Sequence, residues 1–203
     1  MKEFIQHLVK ENMKSIAKNS YLNYGVKGLH MIDLIDEPTK GLKLYIAVNN
    51  NNLQNSLPQN CGNGITYPFQ QYGKNIVVHC IKGGLSIWTV EESLSNVAVL
   101  ASEYEYTEDG SESILKRENV GIATKQVYQL ISGQSVNLPG DEFYNFGTRF
   151  GNTSAWLVYE GRPTQNDKQD LFYTNNDRED NTEMYVTPTG KDIVSLLNSV
   201  GLI

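Results

Sequence analysis

Histidine is scarce in this chain, with three in 203 residues, and cysteine scarcer still, with two. Metal centres built from imidazole and thiolate need several such ligands converging on one ion, so the sequence starts with little material for one. Cys61 and Cys80 allow at most one disulfide and cannot frame a small secreted scaffold, and two free thiols is the simpler reading. Clustered basic charge is missing too. The 17 lysines and arginines are scattered among 23 acids, for a formal net charge of −6. That balance argues against a nucleic-acid partner, whose phosphates require a basic patch. No stretch approaches the roughly 20 apolar residues of a membrane helix. The opening Met1-Lys2-Glu3-Phe4-Ile5-Gln6-His7 lacks the apolar run of a secretion signal. The expectation is a cytoplasmic protein with no membrane partner. Catalytic signatures are absent as well: there is no Gly-x-Ser-x-Gly elbow, no phosphate-binding Gly-x-x-x-x-Gly-Lys loop and no dinucleotide fingerprint.

What is present points to one domain spanning 1–203, since this length buries one sizeable core. Phe4, Ile5, Leu8, Val9, Met13 and Ile16 recur every three to four residues, which predicts an amphipathic helix over about 2–18, within an N-terminal unit of 1–20. Lys and Glu are mixed on its polar face, so packing on the domain's own sheet is favoured over a membrane surface. From 28 to about 174 the chain turns to short runs of Val, Ile, Thr and Tyr bounded by Gly, Asn, Asp and Pro, the pattern of strands and turns. One hairpin is expected between 75–81 and 85–90 through Gly83-Gly84, and a second between 98–106 and 113–115 around Glu108-Asp109-Gly110. Polar stretches at 49–52, 165–170 and 175–182 read as surface loops. A last helix over 188–200 is announced by Thr189-Gly190-Lys191-Asp192, a capping box with Asp in place of Glu, and closed by Gly201.

Two glycine- and proline-marked segments resemble the paired signature of the cupin superfamily. Its first motif runs Gly, five residues, His, one, His, three or four, Glu, six, Gly. Here Gly64 is followed at matching spacing by Gln70, Tyr72, Ile76 and Gly83. Its second motif runs Gly, five residues, Pro, one, Gly, two, His, and the chain offers Gly133, Pro139, Asp141 and Tyr144. The likeness covers about 28–160 and extends more loosely to the C-terminal helix, which resembles that of cupin-like proteins of bacteria and phages. It implies a mainly β fold: a cupin-like jelly-roll barrel, or double-stranded β-helix, with flanking N- and C-terminal helices, paired as a homodimer. All four metal-ligand positions are changed, to Gln70, Tyr72, Ile76 and Tyr144. These residues cannot supply the imidazole and carboxylate set that activates oxygen or polarises a substrate.

The chain's own histidines do not restore that set by pattern alone. His7 reads as a solvated helix residue, while His30 and His79 fall on predicted strands where a hydrogen-bonded histidine is the common case. A site rebuilt from His30, His79 and Cys80 or Asp33 must overcome strand alternation, which turns His79 and Cys80 to opposite faces. Glu91-Glu92 and Glu103 with Glu105 are carboxylate pairs that read as a strand end and a solvated strand face. The barrel positions instead hold Tyr67, Phe69, Tyr72, Trp88, Tyr144 and Trp156, with Gln70, Gln71, Asn145 and Arg149 as hydrogen-bonding company. An aromatic wall with a few polar tips suits a flat or sugar-like ligand, and Arg149 suits a phosphate or carboxylate. The reading is binding rather than catalysis, with no catalytic residue, metal or cofactor and a small polar partner such as a nucleotide or a sugar. In the version suggested by the phage-like resemblance, the protein sequesters that molecule. The alternatives are a metal-dependent cupin enzyme with recruited ligands, such as a dioxygenase or isomerase, and a structural or assembly protein.

Overall fold

A computed structural model describes residues 1–23, 28–48, 69–106, 113–148, 153–161, 171–174 and 186–203. The chain opens with α1 (Lys2–Asn19), matching the predicted periodicity, and its buried side is Ile5, Val9 and Ile16. The strands that follow are β1 (Leu29–Asp36), β2 (Lys40–Ala47), β3 (Phe69–Gln71), β4 (Ile76–Lys82), β5 (Gly84–Tyr106), β6 (Ser113–Ile131), β7 (Ser135–Leu138), β8 (Phe143–Thr148), β9 (Ser154–Gly161) and β10 (Leu171–Thr174). The last element is α2 (Gly190–Ser199), where Thr189 and Asp192 complete the expected capping box. Gly201 N–H bonds to the Asn198 carbonyl and Leu202 N–H to the Leu197 carbonyl, the double closure of a Schellman end.

Among the described residues, the strands form two antiparallel sheets of five. The first has the order β1-β2-β9-β4-β7 and the second β10-β3-β8-β5-β6. Without the outer β1 and β10, the orders 2-9-4-7 and 3-8-5-6 are those of an eight-stranded jelly roll, in which two Greek keys wrap around one core. Fold class and the helix at each end therefore agree with expectation, and the agreement rests on strand order itself.

Alternation explains how the first sheet is covered. Leu29, Met31, Tyr45, Ala47, Val158, Trp156, Ile76, Val78 and Cys80 face the barrel interior with Leu85, Ile87, Tyr144 and Phe146 of the second sheet. The intervening residues Ile32, Leu34, Leu42, Leu44, Ile46, Ala155 and Leu157 face outward, onto Ile5, Val9 and Ile16 of α1 and Ile193 and Leu197 of α2. The N-terminal helix thus packs on the protein's own sheet. Among the described residues, no helix is long and apolar enough to cross a membrane.

The two expected hairpins have different outcomes. The second exists: β5 and β6 pair antiparallel, with Tyr106 opposite Ser113 at its tip, although both strands run far beyond the expected ends and the turn itself lies outside the described residues. The first does not. Gly83 makes the tight turn, with φ +73°, but β4 pairs with β7 and β9 while β5 pairs with β6 and β8. A strand has two hydrogen-bonding edges, and those of β4 are already taken, so the turn carries the chain from one sheet to the other. Its geometry is crowded: a Cβ on Gly83 would stand 2.5 Å from the Thr153 carbonyl oxygen and 2.7 Å from Ser154 Oγ. Ser154 also ties down the next residue, donating to the Gly84 carbonyl at 2.7 Å.

Candidate functional site

Of the positions singled out by the cupin resemblance, Gln70, Tyr72 and Tyr144 lie together at one end of the barrel. Gln70 on β3 is the Cα partner of Tyr144 on β8. The Tyr72 ring, one residue past β3, lies 6.4 Å from the Tyr144 ring. Ile76 opens β4 and is fully buried in the same core. The two loops flanking this end interlock, since Gly73 N–H bonds to the Gly140 carbonyl and a Cβ on Gly140 would collide with the Lys74 backbone. The close approach that the second motif reserves for its glycine is therefore made by Gly140, one residue before Asp141.

The register also closes on itself here. Thr89 pairs with Tyr144, Tyr144 with Gln70, Gln70 with Leu171, and Leu171 with Ala101. This row of partners begins and ends on β5.

Among the described residues, the donor chemistry at this end does not fit a transition metal. Ile76 has no donor atom. The Tyr144 hydroxyl donates to the Pro139 carbonyl at 2.7 Å. Burial, helped by the Glu142 carboxylate, pushes that phenol far above its ordinary range. Among the described residues, no three or more His, Cys, Asp and Glu side chains group to hold an ion. His30, on β1, takes a hydrogen bond at Nδ1 from the Asn23 N–H at 3.3 Å, and burial lowers its pKa. His79 Nδ1 lies 2.7 Å from Ser135 Oγ on β7. Cys80 faces the core, opposite to His79, as an unpaired thiol, and burial raises its pKa.

Deeper in the barrel the aromatic residues stack. Trp156 lies 5.6 Å from Tyr45 at an interplanar angle of 10°, and 6.1 Å from Phe146 at 25°. Tyr45, Tyr72, Tyr144 and Trp156 are each 1% exposed or less, while the Trp156 Nε1 donor has no hydrogen-bond partner among the described residues. Trp88 is half-buried and falls on the opposite face of β5 from Ile87 and Thr89. Phe69 and Gln70 lie on β3, and Asn145 is the register partner of Trp88. Gln71 is the partner of Phe143. Tyr67, Arg149, Cys61 and Gly64 lie outside the described residues, as do the polar stretches at 49–52, 165–170 and 175–182.

Sequence reasoning missed a charged group on the interior face. Lys43 Nζ pairs with Glu160 Oε1 at 2.9 Å, with side chains 14% and 4% exposed. Glu160 is the register partner of Ile76, and buried Asp33 that of Lys43. The signal was available: Asp33 and Lys43 are single charges inside Met-Ile-Asp-Leu-Ile and Leu-Lys-Leu-Tyr-Ile, runs too apolar to leave either face of the strand in water.

No family model matches the chain, and no curated protein matches it in sequence. Solved structures do. Hydroquinone 1,2-dioxygenase from Sphingomonas sp. TTNP3, with 4-hydroxybenzoate bound, is 12% identical over 65% of this chain and 65% of that one, with a TM-score of 0.36. A cupin superfamily protein from Desulfitobacterium hafniense DCB-2 is 6% identical over 66% and 78%, with a TM-score of 0.34. A cupin-2 domain containing protein from Shewanella frigidimarina is 11% identical over 65% and 79%, with a TM-score of 0.32. The match spans a little under two thirds of the Sphingomonas enzyme. At these values the likeness brings neither substrate nor reaction to this chain. Its structure is similar to cupin-superfamily proteins, and its jelly roll stands on its own strand order.

Proposed function

We propose that this jelly roll acts by binding a small polar molecule at the Tyr144 end of the barrel, without a resident metal and without covalent chemistry. The observation that carries the reading is the replacement of the four ligand positions by Gln70, Tyr72, Ile76 and Tyr144 in a fold where Gln70 and Tyr144 are register partners and Tyr72 packs beside Tyr144. A frame kept while its metal chemistry is lost favours recognition over turnover. Aromatic residues supply flat apolar surface there, and Lys43, Glu160 and Asp33 supply charge on the interior face. A nucleotide or a sugar fits this mixture, held in a sequestering role by Tyr67, Phe69, Gln70, Tyr72, Trp88, Tyr144, Arg149 and Trp156. The protomers pair as homodimers in the cytoplasm.

The test is native mass spectrometry of protein purified from its own source, with elemental analysis of the same sample. A stoichiometric organic adduct and no transition metal is the expected result. Near-stoichiometric iron, manganese or zinc would replace the reading with a cupin enzyme using ligands from elsewhere. One observation favours a second reading, that of a structural or assembly protein: the described interior is filled by side chains, with Tyr45, Tyr72, Tyr144 and Trp156 packed out of contact with solvent. A protein that carries neither adduct nor metal supports that reading.

A further inference from the structure

We infer that the outer half of the β5–β6 ribbon is a hinged strap that closes the Tyr144 end of the barrel and gates access to its interior. The inference builds on the placement of a binding site at that end. It starts from the row of register partners that leaves β5 at Thr89 and returns to it at Ala101. Four strand spacings span roughly 19 Å, whereas the stretch of β5 from Thr89 to Ala101 would reach roughly 40 Å if straight. The strand therefore has to bend sharply and wind round between those points. It does so where its pairing with β6 is broken: Glu92 pairs with Ile122 and the next partner is Val97 with Gly121, leaving four residues of β5 without an opposite number. An irregularity of this kind bends a ribbon and absorbs changes in backbone angle.

The two sides of that break are held differently. From Leu85 to Val90, β5 is bracketed by β8 on one edge and β6 on the other. Beyond the break, among the described residues, its one partner apart from β6 is β10, through Ala98, Val99, Leu100 and Ala101. β10 is four residues long, and two of them pair with β3. A latch of one short strand, beside a hinge in the ladder, gives local opening at lower cost than global unfolding. When the latch releases, the Gln70–Tyr144 edge of the second sheet loses its cover.

The test uses the interior tryptophan as reporter. Trp88 and Trp156 are the only two in the chain, so Trp88→Phe leaves Trp156 alone, buried in the barrel. In that background, with Cys61→Ser, the substitutions Val99→Cys and Tyr173→Cys place thiols at Cα partners of strap and latch. Acrylamide, a small neutral quencher, is the probe. Quenching of Trp156 fluorescence should fall several-fold when the disulfide forms and recover on reduction. Amides of Ala98–Ala101 should exchange with deuterium much faster than those of Leu85–Val90. Equal quenching in the oxidised and reduced states, equal exchange in the two halves of β5, or thiols that stay free under oxidant would each overturn the strap. Because acrylamide needs no natural ligand, a protein that proves empty in mass spectrometry but responds to the lock keeps its strap and loses its binding role.

Discussion

The two sheets of the barrel are insulated differently. The first packs α1 and α2 over the part of its outer face formed by β1, β2, Ala155 and Leu157, while beyond the helices Val77 of β4 and Tyr159 of β9 are 40% and 46% exposed. The second shares the interior face, but on its outer face Val127 and Ile131 of β6 are 43% and 53% exposed. Both helices are spent on one sheet, and that sheet also carries the interior charges. The first sheet is thus the one braced by helices, while the second carries Tyr144 and the long β5–β6 ribbon.

The strongest way to break this contrast is to remove one large side chain from each. Trp156→Ala, in the first sheet, empties the centre of the aromatic stack and is expected to cost about 3–5 kcal/mol. Val127→Ala, on the outer face of the second, should change stability by about 0.5 kcal/mol or less. Urea denaturation followed by circular dichroism measures both, and similar losses would erase the distinction.

Next in size is the interior ion pair. Glu160→Gln leaves the Lys43 ammonium in a mostly buried place without its counter-charge. The expected loss approaches the about 3–5 kcal/mol typical of breaking a buried pair, reduced by the residual exposure of Lys43. Replacing both partners, Lys43→Met with Glu160→Leu, should recover most of it. A double-mutant cycle in the same denaturation assay reads the coupling. A double variant as unstable as Glu160→Gln would mean that Asp33, rather than the pair, sets the energetics.

The smallest effect is set by pH at the edge of the first sheet. Burial lowers the pKa of His30 below its ordinary value of 6.5, so the folded state binds the proton less readily than the unfolded chain. The neutral ring's contribution is therefore complete above the unfolded value and is lost as pH falls through it toward the lowered folded value. His30→Asn should flatten the pH dependence of stability below about 6.5, measured by thermal melts across that range. A variant with the wild-type slope would place the titration elsewhere.

Much of this was legible in the sequence, for reasons that differ by element. The helix over Lys2–Asn19 follows from a spacing that any amphipathic helix must show, and Thr189 with Asp192 is a cap made by residues three apart. The β character of the middle follows from residue type and turn punctuation. The positions of the candidate site were named because their spacing matched the cupin motif; in the fold, register sets Gln70 beside Tyr144 and ring packing sets Tyr72 beside Tyr144. What misled was the Gly83 turn. A tight turn between two apolar runs is compatible with a hairpin or with a change of sheet, and the choice depends on whether β7 and β9 already occupy the edges of β4. The Lys43–Glu160 pair was missed for a related reason, since the partners lie more than a hundred residues apart and meet only because β2 and β9 are neighbours.

The sequence by itself determined the helices, their caps, the turns and the strand-forming runs, because each is settled by interactions within a few residues. Tertiary structure alone decided which strands share a sheet, which face of each became interior, and that β5 bends round to meet β10. Those outcomes depend on hydrogen-bonding edges and burial shared among distant segments, and no local pattern encodes them.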